Sequence, residues 1–119
     1  MNFSILVHET AEVFAHRADP VQRAILFGPI GPYLQAMRDA GVFVAGAGLE
    51  APATASVLSP AGNGWQVQDG PFADTKEQLA GIVLIDVPDR AQALEWTRGF
   101  PSAPGRKLEL RANLIPLHE

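Results

Sequence analysis

The chain is predicted to fold as one α+β domain spanning residues 1–119, an antiparallel sheet with its helices gathered on one face. Three observations predict it. Hydrophobic periodicity switches between two residues and a helical repeat in the order β-α-β, hairpin, β-α-β. A length of 119 residues has room for one core. The run Ile82-Val83-Leu84-Ile85 places branched side chains on both faces of a strand, so its sheet must be covered on both sides. Two helical regions cover one face, and a second copy of the chain is the simplest cover for the other. The element order is the split βαβ arrangement of ferredoxin-like folds, with a hairpin inserted at its middle.

The elements follow in order. Phe3, Ile5 and Val7 alternate with Ser4, Leu6 and His8, the pattern of a first strand over residues 2–8. Val21 to Phe27 reads as a short helix, and Gly28-Pro29-Ile30-Gly31-Pro32 interrupts the helical pattern. Pro32 suits the first turn of a second helix, Tyr33 to Ala40, with Gly41 as its left-handed terminator and Leu34 and Met37 on its buried face. Val42-Phe43-Val44 begins a strand at once. Thr54 to Ser59 and Trp65 to Asp69 flank Pro60-Ala61-Gly62-Asn63-Gly64, which reads as the loop of an exposed hairpin. Leu79 to Val87 is the strongest strand. Asp89 caps the next helix, Gln92 completes a capping box, and Gly99 ends it. Leu108, Leu110 and Ala112 alternate with Lys107, Glu109 and Arg111 in a last, half-exposed strand.

Composition narrows the function classes. The chain is 47% hydrophobic and 18% charged, outside the range of disordered chains. With 9 Lys+Arg against 13 Asp+Glu it lacks the positive field that nucleic acid or an anionic membrane surface requires. Zero cysteines exclude disulfides, thiolate metal sites and cysteine nucleophiles. No apolar run approaches the ~18 residues of a membrane span, and Met1 to Val7 lacks a basic signal-peptide start. The expected compartment is the cytoplasm.

Asp69-Gly70-Pro71-Phe72 is the sharpest local feature, followed by Asp74-Thr75-Lys76-Glu77-Gln78-Leu79 entering the long strand. It reads first as a turn, because aspartate bonds nearby amides, glycine takes unusual dihedrals and proline fixes φ. It also gathers Asp69, Lys76 and Glu77 beside two strands, where a partly desolvated cleft shifts pKa values. Strand parity puts Asp69 on one face with Trp65 and Val67, predicting a poorly hydrated carboxylate held ionised by tight bonding. His8, ending the first strand beside Glu9, is the candidate general base that would share a cavity with Asp69. His8, His16 and His118 have no metal-ligand spacing, so no metal is expected. Gly46-Ala47-Gly48-Leu49-Glu50-Ala51 follows a strand like a dinucleotide fingerprint, but Pro52 replaces the required helix, and the segment reads as a mobile glycine loop.

On these residues the sequence resembles the YCII-related, DGPF-domain family, whose hallmark is a strand ending in Asp-Gly-Pro-Phe, then an acidic residue and Lys-Glu-Gln-Leu before a hydrophobic strand. Met37-Arg38-Asp39-Ala40-Gly41-Val42, Gly48 to Ala55 and Ala93-Leu94-Glu95-Trp96 extend the resemblance over nearly the whole chain. It implies a dimeric ferredoxin-like α+β barrel. Small members of the wider group imply a His-Asp pair with the histidine on the first helix. Here Pro29 to Leu34 holds no histidine, which leaves His8 as the substitute.

The expected function is therefore small-molecule binding in a cleft near the motif. Asp69 and His8 are the candidate catalytic pair for acid-base chemistry, and Gly70, Pro71, Phe72, Lys76, Glu77 and Tyr33 are the candidate ligand contacts. No cofactor is expected, and the expected partner is a second copy. From a different class comes a non-catalytic regulatory or adaptor protein, since the resemblance implies an association with sigma-factor-dependent regulation.

Overall fold

A computed structural model describes residues 1–115; His118 lies outside them. Strand β1 (Asn2–Thr10) buries Phe3, Ile5 and Val7, as alternation predicts, and continues two residues beyond its predicted end to bury Glu9 as well. Helix α1 (Ala11–His16) follows directly; its two buried side chains, Val13 and Phe14, are too few to register as a helical period. Helix α2 (Pro20–Phe27) starts with the Asp19 carboxylate accepting from the Val21 amide at 2.9 Å.

Helix α3 (Ile30–Asp39) begins two residues before the predicted Pro32. Pro29 already holds φ −74° and ψ −17°, and Pro32 sits in the first turn, where its missing N–H has no intrahelical acceptor to lose. Gly41 terminates the helix at φ 75°. Strand β2 (Phe43–Gly48) is longer than predicted: Gly46 to Gly48 is paired strand, not a mobile loop, because these residues ladder onto Val83, Ile82 and Gly81.

The hairpin strands β3 (Ser56–Ala61) and β4 (Gly64–Asp69) leave a turn of only Gly62 and Asn63, with Gly62 at φ 58°. Pro60 is tolerated because the two-stranded sheet is all edge. The predicted parity holds, since Leu58 pairs with Val67 and Ser56 with Asp69. The predicted burial does not: Trp65 is 64% and Val67 61% exposed, so the Asp69 carboxylate shares an open face and is hydrated.

Strand β5 (Glu77–Asp86), helix α4 (Arg90–Gly99) and strand β6 (Arg106–Ala112) complete the chain. Asp89 accepts from the Gln92 amide at 2.9 Å. The main sheet is antiparallel in the order β2-β5-β1-β6, the strand order of a ferredoxin-like α+β fold. Its helix-side face carries Phe3, Ile5, Val83 and Ile85 against Met37 of α3 and Ala93 of α4. The Tyr33 hydroxyl donates to the Trp96 carbonyl at 2.5 Å, tying those two helices together. On the other face Leu6, Ile82 and Leu84 are only half-buried.

Gly105 illustrates how tightly the loop before β6 is fixed. Its φ is 82°, and a Cβ there would stand 2.7 Å from Thr10 Oγ1 and 2.8 Å from Val13 Cγ2. Gly105→Ala should therefore lower the unfolding free energy by about 2–4 kcal/mol, adding strained dihedrals to overpacking. Urea denaturation measures it, and a loss under about 0.5 kcal/mol would contradict this packing.

Candidate functional site

A cavity of about 550 Å³ lies between the sheet and helices α1 to α3. Glycine creates it. Gly46 pairs with Val83 and Gly48 with Gly81, so all three glycines lie on the helix-side face of β2 and β5 and give the helices no side chain to pack on. A Cβ at Gly48 would meet nothing within 4 Å. At the same level the β1–β5 register shifts between Val7 and His8, leaving Ala80 as a bulge whose carbonyl accepts the Leu49 amide at 2.8 Å. Phe14, Phe27, Ile30 and Leu34 wall the chamber from the helices, and Leu49 to Ala51 close one side.

One end is ionic. Glu9 shares the helix-side face with Val7 and is 2% exposed. Its Oε2 accepts from Arg106 Nε at 2.8 Å, and Arg106 spends its remaining nitrogens on the carbonyls of Pro101, at 2.8 Å, and Leu26, at 3.4 Å. Arg17 reaches in from the end of α1. Its Nη2 is 3.5 Å from Glu9 Oε1, and its Nη1 donates to the Leu49 carbonyl at 2.5 Å. Among the described residues, no group hydrogen-bonds the buried Glu9 Oε1 or Arg17 Nε. The Arg17 guanidinium lies 4.6 Å from the Phe14 ring centre and 5.3 Å from that of Phe27. Such a chamber can take an apolar body and orient one polar group.

This cluster forms only in the folded chain. Glu9 was legible as a charged residue in phase with Phe3, Ile5 and Val7, which demands a buried partner. Arg106, 97 positions away, was not. Removing that partner alone should be costly: Arg106→Leu is expected to lose about 3–5 kcal/mol, and adding Glu9→Leu to recover most of it. A double-mutant cycle by chemical denaturation measures both, and additive losses would show that the pair is uncoupled.

The residues named from the sequence divide among several places. His8, Pro71, Phe72 and Glu77 line a second groove of about 520 Å³ with Thr75 and Gln78. His8 faces away from the helices, and its Nε2 stands 3.0 Å from Glu109 Oε1. Phe72 is 90% exposed. Asp69 and Lys76 are exposed and line neither cavity, and among the described residues no group bonds the Asp69 carboxylate. Gly70, at φ 104°, donates its amide to the Ala55 carbonyl at 2.8 Å and so closes the hairpin base. Tyr33 stands in the helix layer, edge-on to Trp96 and Phe100, and the sheet separates it from His8.

Glu77 is paired with Lys107 at 2.7 Å, across β1. The hydrogen bond from Lys107 holds its carboxyl below the ordinary value of 4.5, with desolvation opposing and the charges of Lys107 and Lys76 assisting. A carboxyl lowered on folding adds stability above its unfolded pKa and loses it as pH falls through the lowered value. Lys107→Met should accordingly shrink the drop in urea midpoint between neutral and acidic pH. An unchanged pH profile would show that the pair is fully screened by solvent.

Among the described residues, no helix is long and apolar enough to cross a membrane, and no group of three or more His, Asp or Glu side chains is placed to hold a metal ion. An uncharacterised protein of Rhizobium meliloti (strain 1021) is 51% identical over 37 residues, a segment covering 31% of this chain and 30% of that protein. The YCII-related domain matches residues 1–106, nearly the full length, so this chain belongs to the YCII-related family.

Proposed function

We propose that the protein binds a small, largely apolar molecule in the helix-side cavity and does so without a cofactor. One observation carries this reading: a chamber of about 550 Å³, floored by Gly46, Gly48 and Gly81, ends on the buried Glu9–Arg106 pair and the incompletely bonded Arg17. An opening of that size beside unpartnered polar atoms supports a binding site over a packing fault. The groove holding His8, Phe72 and Glu77 is the companion proposal, as the cleft beside the Asp-Gly-Pro-Phe turn. Acid-base chemistry by Asp69 and His8 has less support, because Asp69 does not line that groove.

Gly48→Leu tests the cavity directly. The leucine would enter open space from an extended backbone, so the fold should stand while the chamber fills. In a thermal-shift screen against a broad metabolite set, ligands that raise the wild-type melting temperature should lose their effect on this variant. Undiminished shifts in Gly48→Leu would remove the cavity from the proposal.

A homodimer belongs to the same proposal. Leu6, Ile82 and Leu84 form an apolar strip across β1 and β5 that a second copy would cover, giving the dimeric barrel. Light scattering should give a dimer at micromolar concentration and a monomer for Leu84→Glu; a wild-type monomer would refute it.

The adaptor reading rests on a different observation. The hairpin exposes Leu58, Trp65 and Val67 on one face, a patch of the kind that partner proteins bury. Trp65→Ser would abolish such a partner complex and leave ligand binding intact.

A further inference from the structure

We infer that the ligand of the helix-side cavity carries an uncharged hydroxyl as its polar head, an alcohol or phenol on an apolar body, which donates to Glu9 and accepts from Arg17; this rests on the proposal that the cavity binds a small molecule. Two orphaned atoms point to it. Glu9 and Arg17 both line the chamber. Arg106 serves Glu9 Oε2 at 2.8 Å, but among the described residues nothing hydrogen-bonds Glu9 Oε1, since Arg17 Nη2 at 3.5 Å gives it an ion pair without a hydrogen bond. Arg17 Nη1 is spent on the Leu49 carbonyl, and no group among the described residues accepts from its Nε. One buried acceptor and one buried donor are therefore left on two ion-paired side chains. Nε and Nη2 belong to the same rigid guanidinium, so the orphaned donor and acceptor are within reach of a single ligand atom.

Charge and hydrogen-bond count select the head group. The charged side chains on the cavity are Glu9, Glu50, Arg17 and Arg23, two of each sign, so the chamber asks for no net charge. A carboxylate, ketone or ether brings acceptors only and sets them against Glu9 Oε1. An ammonium brings donors only, leaves Arg17 Nε unanswered and meets two guanidiniums already on Glu9. A primary amide carries a second N–H for which this pair has no acceptor. A hydroxyl matches the pair one for one, with a single donor for Oε1 and a lone pair for Nε. Both atoms are buried, so the head group is seated as Arg17 shifts; its side chain is 19% exposed, where those of Glu9 and Arg106 are 2%. Phe27, Ile30, Leu34 and Val83 supply apolar surface for the body.

Four head groups on one body test the inference. Calorimetry at neutral pH titrates 2-naphthol, 2-methylnaphthalene of the same shape, acceptor-only 2-methoxynaphthalene and anionic 2-naphthoate into the full chain, Glu9→Gln and Gly48→Leu. The naphthol should bind about tenfold or more tightly than each of the other three. Glu9→Gln keeps the shape but removes the charged acceptor and frees two guanidiniums. There the naphthol should weaken about tenfold and the naphthoate tighten, reversing their order. That variant is read only where its circular dichroism is native; where it is not, the wild-type order decides. Equal binding of 2-naphthol and 2-methylnaphthalene, both lost in Gly48→Leu, would overturn the hydroxyl and leave the cavity proposal standing. So would 2-naphthoate binding as tightly as 2-naphthol, or an order unchanged in natively folded Glu9→Gln. Binding of none of the four probes, or of 2-naphthol undiminished in Gly48→Leu, would overturn both proposals.

Discussion

A carboxylate in the phase of the core governs how this molecule is assembled. Glu9 continues the series Phe3, Ile5, Val7 on the central strand, so folding carries its charge under the helices. An unpaired carboxylate there would cost several kcal/mol of lost hydration, roughly the whole stability of a small domain. Arg106 answers it from the start of β6 and is itself 2% exposed on its side chain. Its other nitrogens fasten the Leu26 carbonyl of α2 and the Pro101 carbonyl of the loop before β6. One ion pair thereby joins the central strand, an edge strand, a helix and a loop distant in sequence. Gly105 precedes Arg106 in a conformation few other residues adopt, which places the guanidinium where Glu9 needs it.

The sheet above that pair is covered unevenly. Toward the β1–β6 edge, Leu108 and Leu110 join Phe3 and Ile5 under α3 and α4. Toward β2, glycines replace side chains and the helices stand off, so the core gives way to a chamber. The bulge at Ala80 belongs to this change: it shifts the β1–β5 register where the floor becomes bare, and its carbonyl anchors Leu49. Packing gives way to open space within one sheet face, where the paired residues are glycines.

The sequence was most informative where signals are local. Strand alternation, the Asp89 cap, the Gly41 terminator and the hairpin pairing are set by neighbours, and each lies within a residue or two of its predicted place. The family resemblance was legible for the same reason, since its motif is contiguous. The chemistry was not. Tyr33 and His8 were grouped by residue type, but the sheet lies between them. Asp69 shares the parity of Trp65 and Val67, yet parity fixes only which side chains share a face, not whether anything covers it. The ionic end of the chamber escaped because Arg17 and Arg106 meet Glu9 only through tertiary structure. The glycines at 46 and 48 were noticed as a motif, but their effect depends on pairing with Gly81.

The Asp-Gly-Pro-Phe turn and the chamber are linked through one short segment. Leu49, Glu50 and Ala51 line both the helix-side cavity and the groove that Pro71 and Phe72 help to form. That segment is held from the helix side by Arg17, which donates to the Leu49 carbonyl, and from the sheet by Ala80, which accepts the Leu49 amide. Gly70 closes the other end of the same connection by donating to Ala55, just beyond the turn at Pro52–Thr54. The motif is thus joined, through the Gly70 amide, to the connection that continues from that wall.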